Sequence, residues 1–556
     1  MAPRDPYRAY VEICIELGLL PAERHIFVVA SASLDEMHAR ACLFGSGHVT
    51  WALLRTDERD ACTRCLSTIP AFLEHHYGTG AAPGPHDSGA REIVQAFHNL
   101  HDLSMAVTDA YASQDWSCIR PVAGCPNCSG RGRPVVPPTF ASMVTMETTG
   151  GLESSDDDRA SRAASFVSRM RWAFGFASIA GNPTTARRSR GVSLATAPIR
   201  DAFDPDLAGM ARGKGATDAE ALASCLGAAL ERYTLGQGTH PLVVEASALE
   251  LEGAVDVERV FGLAHVDAPL GMPHSMALSR EWMPAVDILE GRSVYVPAAL
   301  AIHRHDPRRA SQIAPSDAGG AACRASAVEA FHLGLREVVE RDAFQYYART
   351  EALPTPLGWA LVPEDVRDAM SAVDARFSVT LLDNPFDAPV VTVAMVCGAS
   401  HRARASFGSA FASTLSASVR DAFLECMSML HSLDARVAIA PRDTDMRNLW
   451  FTGSAVDALP GLFPDMHDGP EVGVADLGLH ERHELRQLLI DAEAQGMSVF
   501  DIPLVEERGI AVHKVVMSGT ALEETTCSSP SRRLQRFAMF LGHPAPRLRY
   551  GGPLVV

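Results

Sequence analysis

The sequence predicts a mixed α/β or α+β protein in which a larger C-terminal domain follows a smaller α/β domain. Three observations carry that expectation. The chain has 556 residues, more than one ordinary core accommodates, so two or three domains are expected. Its 47% hydrophobic and 21% charged residues are the composition of a folded chain with apolar surface to bury. From about residue 190 onward, β-rich runs alternate with helical patterns, the texture of mixed α/β or α+β packing.

Taken in order, residues 1–148 form the smaller domain. A helix is expected over Tyr7–Leu20, followed by the β-rich runs "HIFVVAS" and "HVTWALLR". Residues 149–189 are rich in Gly, Ser, Asp and Arg and read as a linker. The acidic run Asp156–Asp158 within them is either a solvated face or a helix N-terminus favoured by the helix dipole. Residues 190–556 form the larger domain. There "SVYVPAALA", "PVVTVAMVCG" and "IAVHKVVMSG" read as strands and "SASVRDAFLECMSML" as an amphipathic helix. The tail "HPAPRLRYGGPLVV" carries too much proline and glycine for regular helix.

Charge and composition exclude several function classes. A formal net charge of −18 argues against a general nucleic-acid binder, which needs a basic surface. No run approaches the roughly 18 apolar residues of a membrane span, and the first residues lack the basic and apolar regions of a signal peptide. Twelve cysteines, sparse and scattered, suit a reducing cytoplasm. Cys225, Cys323, Cys397 and Cys426 lie in apolar stretches and read as core residues. The 21 histidines form no paired-ligand motif.

Two helical segments carry the chemistry. "GKGATDAEALASCLGAALERY" is a glycine-flanked loop running into a helix with an E-R pair, and "FHLGLREVVERDAF" is a second helix with the same pair. Superimposed, Leu226 meets Leu335, Glu231 meets Glu340 and Arg232 meets Arg341, but Ala228 meets Glu337. Residues three and four apart share a helix face, so Ser224, Ala228 and Glu231 line one side of the first helix. Glu337, Glu340 and Arg341 cluster on the second, with Glu329 two turns earlier. Gathered carboxylates repel unless a cation or an arginine compensates them. Hard divalent cations shared with nucleotide phosphates are the usual reason for such a cluster; exposed Glu/Arg pairs on two surface helices are the simpler alternative. Glu425 is open to the same two readings.

Two CxxC pairs, Cys62/Cys65 and Cys125/Cys128, supply the four thiolates of a closed tetrahedral zinc site. Their spacing is much longer than a zinc ribbon's, so two unrelated pairs remain the alternative.

The two E-R helices resemble the signatures of the YcaO family: a GKG loop with a helix S-x-x-x-E-x-x-E-R, and a Glu eight residues before an E-x-x-E-R-D helix. The resemblance covers roughly residues 190–545. It implies an ATP- and Mg-dependent enzyme that activates backbone amides by O-phosphorylation. The commonest outcome is cyclodehydration of Cys, Ser or Thr to thiazolines or oxazolines in a ribosomal precursor peptide. Carried over by position, Glu231, Glu329, Glu337 and Glu340 would hold Mg on the nucleotide. Ser224, Arg232 and Arg341 would contact nucleotide or orient those carboxylates, with Glu337, Glu340 and Arg341 serving catalysis. Lys214 would line the site or decorate a glycine turn.

The stretch "LLRTDERDACTRCLSTI" is similar to the late part of a ThiF-like domain, which implies structural zinc on the four cysteines and a docking role. The expected partners are the precursor peptide and a separate leader-binding ThiF-like protein. A flavin dehydrogenase and a second copy of the chain stay open. Two positions depart from the family pattern: Ala228 replaces the first glutamate, and the chain ends "GGPLVV" instead of in alternating prolines. They keep two alternatives open, a YcaO enzyme making a thioamide or amidine, and a non-catalytic scaffold.

Overall fold

In a computed structural model, five N-terminal strands are described, followed by residues 156–170, 180, 183–189, 191–199, 210–235, 243–256, 279–301, 318–401, 403–435, 450, 453–459, 462–463, 484–507, 509–520 and 532–548. The N-terminal strands are β1 (Phe27–Val28), β2 (Ala41–Ser46), β3 (Val49–Leu54), β4 (Ser104–Thr108) and β5 (Gln114–Cys118). They form one sheet in sequence order, with β1 parallel to β2 and the rest antiparallel. The runs "HIFVVAS" and "HVTWALLR" both contribute strands. The helix expected at Tyr7–Leu20 and the four CxxC cysteines lie outside the described residues.

The stretch expected to be a linker is partly regular structure. It contains helix α1 (Asp156–Met170) and strand β6 (Thr184–Ser189). Its polar composition hid two apolar anchors, because Phe166 and Met170 of α1 are buried in the core. The acidic run Asp156–Asp158 opens the helix, where the dipole favours it.

Strands β6, β7 (Val192–Pro198) and β8 (Met210–Gly215) form an antiparallel sheet, and helix α2 (Asp218–Leu235) follows. The chain then lays down β9 (Val244–Ser247), β10 (Ser279–Asp287), β11 (Arg292–Pro297) and β12 (Ala321–Arg324) before the long helix α3 (Ala327–Arg349). A second antiparallel sheet follows, of β13 (Thr355–Pro356), β14 (Ala375–Leu381), β15 (Val390–Cys397) and β16 (Ala405–Phe411). Helix α4 (Glu364–Ser371) lies within it in sequence, and helix α5 (Leu415–Ala435) follows it. After the short α6 (Ser454–Ala458) and α7 (Leu485–Ala494), strands β17 (Val499–Glu507) and β18 (Ile510–Met517) return to the first large sheet. Its order is β11-β10-β17-β18-β12, with β9 added to β10. Helix α8 (Arg532–Phe540) is the last helix among the described residues.

That six-stranded sheet separates two cores. Along β17 and β18, Val499, Val515 and Met517 face one cluster, which includes Phe331, Leu335 and Val339 of α3. Phe500, Ile502, Val512 and Val516 face the other, which includes Leu226, Ala229 and Leu230 of α2. Every residue of β18 is buried, so "IAVHKVVM" lacks the apolar–polar alternation of a strand with one wet face. The two E-R helices thus pack on opposite sides of one sheet. Cys225, Cys323, Cys397 and Cys426 are buried free thiols; burial pushes the Cys225 and Cys397 thiols up to about 12, which leaves them inert.

Candidate functional site

Both signature helices begin the same way. In α2, Thr217 accepts the Glu220 amide at 3.3 Å and the Glu220 carboxylate accepts the Thr217 amide at 3.1 Å. This reciprocal pair fixes the first turn. In α3, Ser326 accepts the Glu329 amide at 3.2 Å. Glu329 therefore stands in the first turn, about 12 Å along the helix from Glu337 (eight residues at 1.5 Å each).

The GKG segment is the end of β8 and not a loop. Leu194 of β7 pairs with Lys214, so the lysine projects from a strand. The flanking glycines answer to packing: a Cβ on Gly213 would come within 2.1 Å of the Ala221 oxygen and the Cys225 amide nitrogen, and one on Gly215 within 2.4 Å of the Glu220 Cβ. Only glycine lets the strand lie this close to the first turns of α2. Lys214 is thereby held at a fixed height over the helix.

The charged side chains around Lys214 come from α3 and α5. Its Nζ contacts the Glu425 carboxylate of α5. Burial lowers the lysine's pKa, while Glu340, Asp421 and Glu337, in that order, pull it back up. Glu340 is reached from the other side by β16, where Ser409 donates to its Oε1 at 2.5 Å. Burial raises the Glu340 pKa, and Glu337 adds to the rise. Glu231 of α2 accepts the Cys323 amide of β12 at 2.7 Å. Burial, and then the charge of Glu337, push its pKa up to about 7 against the pull of Arg324, the Cys323 amide and Arg232. Glu337 thus lies in electrostatic range of Glu231 on α2 and of Glu340 and Lys214, with Arg341 paired to it.

The arginines of the two E-R pairs do different things. Arg341 donates to Glu337, four residues earlier, at 2.9 Å. The residue four before Arg232 is Ala228, and Arg232 instead donates to the Met210 carbonyl at 2.6 Å. Arg232 therefore ties down the start of β8, the strand that carries Lys214, while adding its charge to the field at Glu231. Ser224 is partly buried on α2, on the same face as Glu231.

Sequence reasoning missed Ser409, Asp421 and Arg324 altogether and left Glu425 open. Ser409 reaches Glu340 across 69 positions, a partnership with no local signature. Arg159 of α1 also enters here, donating to Asp421 at 3.1 Å and lying 3.9 Å from Glu220. It links the supposed linker to both α2 and α5.

The donor set fits a cation shared with an anion. Glu337 raises the pKa of both Glu231 and Glu340, and carboxylates crowded in this way gain from a divalent ion between them. Among the described residues, no three His, Cys, Asp or Glu side chains form a metal cage by themselves. A Mg ion here would need phosphate oxygens and water to complete its shell, which is its usual habit.

Comparison with known proteins was informative at three levels. A family described as YcaO cyclodehydratase, ATP- and Mg2+-binding, matches residues 212–521. A solved heterocyclase in complex with substrate and cofactor superimposes with a TM-score of 0.71 at 16% identity, covering 99% of this chain and 82% of the other. The heterocyclase TruD does so with a TM-score of 0.56 at 14% identity, covering 99% and 81%. An uncharacterized protein of Methanothermobacter thermautotrophicus is 27% identical over 203 residues, 36% of this chain and half the length of that relative.

Proposed function

The chain belongs to the YcaO family of ATP- and Mg2+-binding cyclodehydratases, and on that premise we propose that it activates backbone amides of a ribosomally made precursor peptide. The amide oxygen takes up the ATP γ-phosphoryl group after attack by a neighbouring Cys, Ser or Thr side chain. Loss of phosphate then leaves a thiazoline or oxazoline. The observation that carries this reading is that two separate helices each hold a tethered carboxylate, Glu231 on the Cys323 amide and Glu340 on Ser409, with Arg341-paired Glu337 in electrostatic range of both. Surface helices have no cause to hold like charges in mutual range.

In this reading Glu231, Glu337 and Glu340 hold Mg on the nucleotide, and Lys214 meets phosphate oxygens. The bound cation would supply charge neutralisation, the main requirement of phosphoryl transfer. Ser409 keeps Glu340 aimed, the Cys323 amide keeps Glu231 aimed, and Arg341 stands ready to leave Glu337 for an anionic ligand. Its side chain is 44% exposed, so it can turn without breaking the core. Glu329 and Ser224 flank the cluster and complete the nucleotide contacts.

A heterocyclase with which this chain shares its fold was solved with substrate and cofactor together, which supports a site here that takes a substrate and a cofactor, and the ATP- and Mg2+-binding family description supports a nucleotide as that cofactor. A separate leader-binding ThiF-like protein, and zinc on Cys62, Cys65, Cys125 and Cys128, belong to the same proposal. Glu340→Ala tests it. We expect peptide-dependent phosphate release to be lost with little change in melting temperature, because one crowded carboxylate has gone. Normal turnover by that variant, or its unfolding, would return the helices to a structural role. Ala228 favours the second reading, a scaffold without catalysis: a chain that binds Mg-ATP but never releases phosphate in the presence of peptide and partner would establish it.

A further inference from the structure

Lys214 is a long, flexible cation on a strand that must present it at one point. Its backbone is fixed on one side by Gly213 and Gly215 against α2 and by Arg232 on the Met210 carbonyl. Nothing in that arrangement fixes the end of the side chain. The partner at its tip comes from α5.

Helix α5 is seated with unusual closeness at the required place. A Cβ on Gly408 of β16 would come within 2.3 Å of the Cys426 amide nitrogen, 2.4 Å of the Ala422 oxygen and 2.6 Å of the Glu425 Cβ. The root of Glu425 thus rests on β16 next to Ser409, the residue that tethers Glu340. From there the Glu425 carboxylate contacts the Lys214 ammonium. Asp421, one turn earlier on α5, is engaged by Arg159 of α1 at 3.1 Å, so the two acidic residues of this face have different partners.

We propose that Glu425 is a positioning residue that holds the Lys214 ammonium toward the Glu337–Glu340 carboxylates, where the nucleotide phosphates bind. It acts through Lys214 and has no contact of its own with nucleotide or metal. The inference rests on the nucleotide-site reading above and adds a third helix to it. Charged groups facing Lys214 are Glu337 and Glu340 from α3 and Asp421 and Glu425 from α5.

A double-mutant cycle on the full chain tests it, with calorimetry of a non-hydrolysable ATP analogue and Mg as the readout. Glu425→Gln and Lys214→Met should each weaken binding about tenfold or more, the scale of one charge-assisted hydrogen bond. The double variant should bind no worse than Lys214→Met alone, because Glu425 then has nothing to orient. Glu425→Asp, which keeps the charge on a shorter stem, should recover part of the affinity and serves in its place if the glutamine variant fails to fold. In steady state, Glu425→Gln should raise KM for ATP and leave KM for peptide unchanged. Unchanged nucleotide affinity in Glu425→Gln overturns the inference, as do independent, additive losses, which would mean that Glu425 touches the ligand itself. A wild type that binds no nucleotide overturns both this inference and the site reading. A wild type that binds, with an inert Glu425→Gln, overturns this inference alone.

Discussion

At the residue scale, burial raises the cost of ionising Glu231 and the like charge of Glu337 adds to it, so that its pKa rises to about 7. An acid with a raised folded-state pKa keeps its proton longer folded than unfolded. Stability is therefore lost as pH climbs from about 4.5, the unfolded value, through about 7, and levels off above it. Glu231→Gln should remove that loss. Its melting temperature relative to wild type should rise across this window and stay flat outside it. Mg-dependent nucleotide affinity of the wild type should grow over the same range as the carboxylate empties. A melting difference independent of pH would contradict the placement of Glu231. Part of this was legible beforehand: the i, i+4 pair of Glu337 and Arg341 follows from helix geometry alone. The fate of Arg232 was not, because deleting a carboxylate at position 228 says nothing of which distant carbonyl the freed guanidinium will find.

At the scale of elements, helix α3 is both the carrier of the site carboxylates and the seat of the C-terminal segment. Directly after Arg341, Asp342 receives two hydrogen bonds at 2.9 Å from the Nε of Arg533 on α8. Both side chains are 1% exposed. Further along, Tyr346 stacks on Phe537 and its hydroxyl lies 3.1 Å from His543 Nδ1. The tail then bridges Thr350 to Leu548. Arg533→Ala would remove the buried arginine partner of the Asp342 carboxylate, a loss that typically costs about 3–5 kcal/mol, and denaturant unfolding should show it. Replacing both partners, Asp342→Leu with Arg533→Met, should cost less, since no charge is left uncompensated. Equal costs would mean that the pair is not the coupling between α8 and α3. The Thr217 and Ser326 caps of α2 and α3 emerged only in the fold; the sequence showed the helices themselves, through the spacing of their Glu and Arg residues. It misrepresented GKG, since glycines that mark a turn and glycines that admit a helix look alike in one dimension. Polar residues in α1 likewise concealed its two buried anchors.

At the scale of the whole molecule, one sheet with a core on each face sets α2 and α3 against its two sides, and Glu231 of α2, held on the amide of edge strand β12, comes into electrostatic range of Glu337 of α3. That convergence is a property of the assembled fold, which is why neither helix alone distinguished a site from a surface. The alternation of strands and helices was readable because period and length differ so much between the two. The partners contributed by β16 and α5 were not, because Ser409 and Glu425 lie far along the chain from the Glu340 and Lys214 they meet. In the N-terminal part, the expected outcome of metal analysis on protein purified without chelator is about one zinc per chain; a folded protein free of zinc would remove Cys62, Cys65, Cys125 and Cys128 from the account. The central claim is that Glu231, Glu337 and Glu340 join a Mg-nucleotide to this chain. Its most direct measurement is calorimetry of the full chain with a non-hydrolysable ATP analogue, with and without Mg, in wild type and Glu340→Ala. The wild type should bind the analogue only with Mg, and Glu340→Ala should not bind it. Binding of equal strength without Mg, or equal binding by Glu340→Ala, would contradict it.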